Sequence, residues 1–381
     1  MNYNEILSEH KIVRVVTRRI RTRYPRLYGK NSRLPEHRYG REFTILEIYT
    51  DKGAHGFGEG RCNEKQKDLL LNKKVSEVFD VYKGMLIDPS HSGSFDVPLH
   101  DLAGKILGIP VVDILSLGRS VKPIEHVSCY DGAIYMNDIS PDTRPGGIEE
   151  IIRNCQYDWD VCGFRGFKVK VGRGGLWMDH DEGLRRDIEV MHEIKKHFPG
   201  ARLLADANDA FSLKDTEKFM DACKDLDLYW LEEPFLESVD GFSRLREILA
   251  KYSPNTLIAD GEFQYDMPLL HELCEKKLID VLLMDTCTYG ITRWRDIMPK
   301  LSEYGVLASP HNWPFKMKTH YGAHLAAAFP DLVPTIEGVQ DETEGVEFDR
   351  YIINEGFINV PKAPGFGMDL IWGFLVEEYS V

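Results

Sequence analysis

The sequence predicts an α/β protein: a (β/α)8 barrel of the TIM type with an N-terminal α+β capping domain that the C-terminal segment completes. Two observations predict this fold. From about residue 123 onward, short apolar runs alternate with amphipathic helical stretches. Before that point, extended runs come first and a helical stretch follows, which is typical of an α+β unit. A chain of 381 residues is long enough for both parts.

Three segments are predicted: a capping domain (1–122), a barrel (123–340) and a C-terminal segment (341–381) that packs on the capping domain. The capping domain begins with two extended runs joined by the turn signal Asp51-Lys52-Gly53. The barrel is predicted from eight strand-like runs, which are His126–Tyr130, Phe167–Val171, Leu203–Asp206, Tyr229–Glu232, Leu257–Asp260, Val281–Asp285, Val306–Ser309 and Pro334–Glu337.

Charge and composition exclude several classes of function. The net charge of −14 argues against binding to nucleic acid or to an anionic membrane surface. No apolar run is long enough for a membrane span, and the N-terminus has no signal-peptide pattern. Seven scattered cysteines are typical of reduced thiols, so we expect a cytoplasmic protein.

One segment departs from the acidic average. Residues 11–41 contain eleven Lys and Arg residues and a single acidic one, Glu36. Two interpretations are open: a solvated basic strand and loop, or a loop that recruits a small anionic substrate.

Ionisable residues end seven consecutive barrel runs, from the second to the eighth. The carboxyl ends of the strands meet at one face of such a barrel, where the active sites of this fold lie. Burying so many charges without partners would be prohibitive, so they pair, bind a metal or take part in chemistry.

Three carboxylates, Asp206, Glu232 and Glu262, follow successive strands at intervals of 26 and 30 residues. Oxygen ligands without Cys or His favour a hard cation, with Mg²⁺ as the default. The alternative is that the three carboxylates form separate salt bridges with lysines. Glu233 and Asp260 are neighbouring candidates for the same role.

Lys168 and Lys170 are two residues apart on a strand, so both side chains point into the barrel. Two close ammonium groups lower each other's pKa, which makes Lys170 a candidate neutral base. Asp285 and His311 end neighbouring strands, and an Asp beside a His is a common general acid/base pair. Burial of Glu337 would keep it protonated, as a hydrogen-bond donor.

These residues, in this order, resemble the mandelate racemase subgroup of the enolase superfamily, over most of the chain. The resemblance implies that Asp206, Glu232 and Glu262 hold Mg²⁺, which stabilises an enediolate of a carboxylate substrate. Subgroups with a lysine at the end of strand six are less similar, because Asp285 stands there.

The resemblance also implies roles on each face of the substrate α-carbon. Lys170 would be the base on one face, tuned by Lys168, and His311 with Asp285 the acid or base on the opposite face. Glu337 would donate a hydrogen bond to the enolate oxygen, and Asn208 would contact a substrate hydroxyl.

The predicted function is therefore a Mg²⁺-dependent lyase that removes the proton next to a carboxylate and then eliminates water from a sugar acid, giving a 2-keto-3-deoxy acid. The alternatives are a racemase or epimerase of a 2-hydroxy acid, and a non-catalytic sugar-acid-binding protein. A phosphosugar enzyme is disfavoured because no glycine-rich loop follows the last two strands. By analogy with the subgroup we expect a homo-oligomer, a dimer or an octamer.

Overall fold

The computed structural model describes residues 2–141, 143 and 146–371. The last ten residues of the predicted C-terminal segment, 372–381, lie outside the described residues, so the three predicted segment boundaries stay a prediction. None of the helices in the described ranges is long and apolar enough to cross a membrane.

The capping region is an antiparallel sheet covered by helices. Glycines on its third strand permit the close approach of a helix, since a Cβ on Gly56 would lie 2.4 Å from the backbone nitrogen of Leu102. The elements are α1 (Tyr3–Ser8), β1 (Ile12–Tyr28), β2 (Arg38–Thr50), β3 (His55–Glu59), α2 (Glu64–Lys67), α3 (Val75–Val78), β4 (Phe79–Asp80), β5 (Gly84–Met85), α4 (Ser92–Leu107) and α5 (Val111–Leu115).

Eight parallel strands form the barrel, and this confirms the predicted fold. They are β6 (His126–Ile134), β7 (Gly166–Lys170), β8 (Arg202–Asp206), β9 (Trp230–Glu232), β10 (Leu257–Asp260), β11 (Val281–Leu282), β12 (Leu307–Ala308) and β13 (Ile336–Gly338). From β6 to β12 each strand pairs with the next one along the chain, and β13 pairs with β6.

Helices surround these strands, and Ser212 caps one of them with a capping box. The helices are α6 (Ile148–Asp160), α7 (Arg173–Leu176), α8 (His180–His197), α9 (Leu213–Ala222), α10 (Val239–Tyr252), α11 (Met267–Glu275), α12 (Ile291–Tyr304) and α13 (Lys316–Ala328).

The chain that follows the eighth strand, up to residue 371, no longer alternates strand with helix. No helix follows β13 within the described residues up to 371; short strands return to the rest of the molecule instead. These strands are β14 (Glu342–Thr343), β15 (Val346–Glu347), β16 (Ile353–Asn354), β17 (Phe357–Asn359) and β18 (Asp369–Leu370). β14 pairs with β1 of the capping sheet, and β17 pairs with β6 of the barrel. Chain after the barrel therefore contacts both parts.

The pairing register of the strands determines which site residues lie side by side across the barrel sheet. Lys170 pairs with Asp206, and Asp206 pairs with Glu232, along β7, β8 and β9. Adjacent strands lie about 4.8 Å apart, so these three residues form one row across the sheet. On the other side of the barrel, an isolated parallel bridge joins Asp285 to His311.

Candidate active site

Three carboxylates converge at the carboxyl ends of β8, β9 and β10. One ligand oxygen from each of Asp206, Glu232 and Glu262 lies within 4.8 Å of the others. Asp206 and Glu232 are fully buried. Asp260, an alternative ligand in the sequence, accepts a hydrogen bond from the backbone of Gly261 at 2.6 Å and is not part of this group.

The other neighbouring candidate, Glu233, has different partners. Its Oε2 lies 3.3 Å from Nη1 of Arg33, and its Oε1 accepts a hydrogen bond from the backbone of Phe263 at 3.1 Å. The structure therefore separates Glu233 from the three converging carboxylates, although it is adjacent to Glu232 in the sequence.

The three carboxylates fit a hard divalent cation. All the donors are oxygens, and Oε2 of Glu262 is buried without a hydrogen-bond partner in the described part of the chain. Burial raises the pKa of Glu232 to about 8; Lys168 opposes this shift and Asp206 adds to it. Buried carboxylates at this separation repel one another, and a cation bound between them would offset that cost.

The two lysines of β7 lie beside the three carboxylates. Nζ of Lys168 donates to Oε1 of Glu232 at 2.7 Å and lies 2.9 Å from Oε1 of Glu337, while Lys170 donates to Asp206. The salt-bridge alternative is therefore present for two of the three carboxylates, Asp206 and Glu232, whereas Glu262 lies beside His311. Because the same carboxylates face one another, it does not exclude the metal site.

The prediction of a lowered pKa for Lys170 is wrong for this structure, although the charge of Lys168 does lower that pKa. Burial does lower the pKa of Lys170, but Asp206 outweighs it, and the pKa lies above its ordinary value. Burial likewise lowers the pKa of Lys168, but Glu232 and Glu337 raise that pKa well above its ordinary value. Carboxylates of the same row, contributed by other strands, therefore outweigh the effect of the neighbouring ammonium group.

His311 and Asp285 form the predicted pair on the opposite side of the three carboxylates. Nδ1 of His311 lies 3.3 Å from Oδ2 of Asp285, and its Nε2 lies 3.2 Å from Oε1 of Glu262. Burial lowers the pKa of His311, but Glu262 and Glu337 raise it above its ordinary value. The imidazole thus lies between its supporting Asp and a candidate metal ligand.

Glu337 is not kept protonated by its burial, contrary to the prediction. Burial raises its pKa, but the positive charges of Lys168 and His311 lower the pKa by more, so that it is about 2. The backbone nitrogens of Asn312 and Trp313 also donate to its Oε2, at 2.7 and 2.9 Å. A carboxylate with this many donors is ionised, so in this structure it accepts hydrogen bonds.

Asn208 lies two residues beyond the end of β8, in a left-handed conformation with φ of 44°. Its side-chain nitrogen donates to Oε2 of Glu233 at 3.3 Å. Its Oδ1 is buried and has no hydrogen-bond partner among the described residues. An unpartnered buried amide oxygen is compatible with the expected contact to a hydroxyl.

The basic segment 11–41 forms β1, the start of β2 and the loop between them. Many of its arginines are paired within the molecule, so it is not simply a solvated face. Arg18 binds Glu47, Arg26 binds Asp158 and Arg33 binds Asp209.

The loop of residues 29–37, here called the capping loop, lies against the carboxyl ends of the first barrel strands. Oγ of Ser32 donates to the carbonyl of Ala207 at 2.6 Å. The ring of His37 packs against Tyr135 and Trp313. Burial, Arg41 and Lys170 together lower the pKa of His37 to about 4.

Two side chains of the site were missed in the sequence. Lys318, from α13, donates to Oδ2 of Asp285 at 2.8 Å, and Glu59, from β3, lies 3.6 Å from Lys318. Neither follows a barrel strand, so strand-end reasoning does not find them. The sequence carries only one hint, the Gly-x-Gly-Glu-Gly pattern around Glu59.

The fold and the donor set define a class of protein: a capped barrel with three converging carboxylates and basic groups on both sides of them. A family model described as enolase C-terminal domain-like matches residues 150–372. The chain belongs to the enolase superfamily, within its mandelate racemase subgroup.

Solved structures and curated relatives agree with this family. The chain is similar to a mutant of galacturonate dehydratase from Geobacillus sp., solved with Mg, at 28% identity and a TM-score of 0.87 over 96% of this chain and 94% of that one. Galacturonate dehydratase from Geobacillus sp. with D-galacturonate and 5-keto-4-deoxy-D-galacturonate gives 28% identity and a TM-score of 0.85 over 95% of each chain.

Among curated proteins, L-galactonate dehydratase of Hypocrea jecorina is 24% identical, over 87% of this chain and 85% of its own length. These relatives confirm, at the level of enzyme class, the prediction of a hydro-lyase.

Proposed function

We propose that this protein is a Mg²⁺-dependent sugar-acid dehydratase. The observation that carries the proposal is the placement of two basic side chains on either side of the three carboxylates. Lys170 contacts Asp206 at one end of the group, and His311 contacts Glu262 at the other. A substrate carboxylate bound between them would have one basic group on each side of its α-carbon.

Asp206, Glu232 and Glu262 would hold the cation. Bound Mg²⁺ supplies a Lewis acid for the substrate carboxylate. Lys168 lies between Glu232 and Glu337, and its positive charge favours the developing enediolate.

In the proposed reaction, Lys170 first gives up the proton that Asp206 stabilises in this structure. Its neutral Nζ then takes the proton from the α-carbon, and the electrons of that C–H bond form the enediolate. The bond from the β-carbon to its hydroxyl then breaks, and His311 gives its proton to the departing oxygen, which leaves as water. The resulting enol becomes the keto-deoxy acid. Lys170 ends protonated and His311 neutral, so one proton must move between solvent and each group before the next turnover.

A hexuronate is the first substrate to test. The related galacturonate dehydratase was solved with D-galacturonate and a 5-keto-4-deoxy product. In a uronate the carboxylate is at the far end of the carbon numbering, so a 5-keto-4-deoxy acid results from the same α,β-elimination that gives a 2-keto-3-deoxy acid from an aldonate.

The second candidate is a racemase or epimerase, because the same two opposed groups can exchange an α-proton from one face to the other. A purely binding protein is disfavoured, since Lys170 and His311 are both present and both contact the carboxylate group.

The test is a panel of D-galacturonate, L-galactonate and further aldonates and aldarates, with Mg²⁺, scored for keto-deoxy product by its semicarbazone absorbance. We expect product from at least one member and none after treatment with EDTA. Absence of product from every member, with deuterium from the solvent entering the α-position of one, would refute dehydration and favour the racemase.

A further inference from the structure

Each oxygen of the Asp285 carboxylate has more than one partner. Its Oδ1 accepts from the backbone nitrogens of Cys287 and Thr288, at 2.9 and 2.8 Å. Its Oδ2 is shared by His311, at 3.3 Å, and by Lys318, at 2.8 Å. The ammonium group of Lys318 is therefore the nearer partner of the oxygen that supports the imidazole.

Lys318 is itself held by the capping domain. It is only 5% exposed, and its Nζ also donates to the carbonyl of Trp313 at 3.3 Å and lies 3.6 Å from Oε1 of Glu59. The backbone nitrogen of Glu59 donates to Oη of Tyr321, one turn further along α13. Contacts between strand β3 and helix α13 thus hold the lysine that binds Asp285.

Charge balance explains why a cation is needed there. Asp285 and Glu59 are two carboxylates on either side of one ammonium group. Oε2 of Glu59 is buried and has no hydrogen-bond partner in the part of the chain that the structure describes. Removing one partner of a buried ion pair leaves an uncompensated charge, which moves, takes up a proton or admits water.

We infer that Lys318 is a positioning residue for the proposed reaction: it holds Asp285 as an anion directed at His311, and Glu59 of the capping domain holds Lys318 in place. This inference rests on the proposed function. Its effect is confined to the histidine side of the site, because no contact links Lys318 to Lys168 or Lys170 among the described residues.

The experiment compares two reactions of D-galacturonate with Mg²⁺ in D₂O. Product formation needs His311, whereas exchange of the α-proton needs only Lys170. In Lys318→Met we expect product formation to fall about 10- to 100-fold in kcat with little change in KM. Recovered substrate should carry more α-deuterium per product formed than with the wild type. A parallel loss of both reactions would show a merely structural role and overturn the inference.

Three further variants sharpen the test. Lys318→Arg keeps the charge and should retain more activity than Lys318→Met. Glu59→Gln combined with Lys318→Met removes both charges of the pair and should recover activity relative to Lys318→Met alone, a coupling that independent sites do not show. Lys316→Met is the matched control, since Lys316 lies on the same helix with its ammonium 5.3 Å from the centre of the Phe348 ring. Equal loss in the control would overturn the inference.

One measurement needs no substrate and so separates this inference from the proposed function. In nitrogen-15 spectra of histidine-labelled protein with Mg²⁺, the His311 signals are identified by their loss in His311→Asn. We expect Lys318→Met to displace these signals and Lys316→Met to leave them in place. Unchanged His311 signals in Lys318→Met would overturn the inference, even if the enzyme dehydrates no sugar acid on the panel.

Discussion

The two sides of the candidate site are built in different ways. The lysine side, Lys168 and Lys170 with Asp206 and Glu232, lies on three strands paired in register. The histidine side, Asp285 and His311, lies beyond two-residue strands and depends on a helix and a capping strand for support. Hydrogen-bonded strands therefore hold the residues of the lysine side in place locally, whereas the histidine side is assembled from distant parts of the chain.

Substitutions of the two basic groups should give the largest effects and should distinguish the two sides. Lys170→Met should abolish both α-proton exchange and dehydration, lowering kcat by about 10³-fold or more, because no other group on that side takes the proton. His311→Asn should abolish dehydration and leave exchange. Deuterium incorporation and product formation, measured together on D-galacturonate, check both outcomes; loss of both reactions in His311→Asn would contradict the assignment of separate roles.

The proposed metal site joins the two sides, since Asp206 contacts Lys170 and Glu262 contacts His311, and it can be tested at its lysine side. Asp206→Asn removes a charged ligand, so we expect Mg²⁺ affinity to fall at least about tenfold. Asp260→Asn is the matched control, because Asp260 is equally buried but outside the converging group. Isothermal titration with Mg²⁺ compares the two; a larger loss in Asp260→Asn would move the third ligand from Glu262 to Asp260.

The capping domain should contribute stability to the lysine side through Arg33. Arg33→Met leaves Glu233 and Asp209 without their cation, at a cost of about 2 kcal/mol of unfolding free energy. Arg244→Met provides the control, since its pair with Asp240 is exposed and should cost less than about 0.5 kcal/mol. Urea unfolding gives the loss of unfolding free energy in both variants, and equal losses would show that the Arg33 ion pairs contribute no more stability than an exposed pair.

The smallest expected effect is a pH dependence at the capping loop. The folded pKa of His37, about 4, lies below its ordinary value of 6.5. Between these values the unfolded chain binds more protons, so stability falls as the pH decreases from 6.5 toward 4. His37→Gln should reduce this loss by about 1 kcal/mol between about pH 7 and about pH 5.5. Urea unfolding of the exposed variant His126→Gln should show the wild-type slope.

Much of the fold could be predicted because each barrel strand is recognisable from a short apolar run in the sequence. The eight apolar runs matched eight strands, and the turn at Asp51 to Gly53 joined two extended strands of the capping sheet. The sequence also indicates where the alternation of strands and helices ends, because the predicted barrel stops at residue 340 and no helix follows β13 up to residue 371.

The candidate site was partly predictable for the same reason. Strand-end residues such as Asp206 and His311 could be found, because parallel strands bring their carboxyl ends to one face. Lys318 and Glu59 could not, since the contact of α13 with β3 depends on the packing of a helix against a distant sheet. The charge states of Lys170 and Glu337 were predicted wrongly because each depends on partners from other strands.

The capping loop is attached to the barrel partly through its own backbone. The carbonyl of Lys30 accepts from the backbone of Met136, and that of Asn31 accepts from the indole of Trp177. The anchor at Lys30 does not depend on its side chain, whereas Oδ1 of Asn31 also accepts from the backbone nitrogens of Arg33 and Leu34 and holds the turn of the loop. For protein engineering, position 30 is therefore the place to diversify a library aimed at other substrates, with Asn31 kept so that the loop keeps its shape.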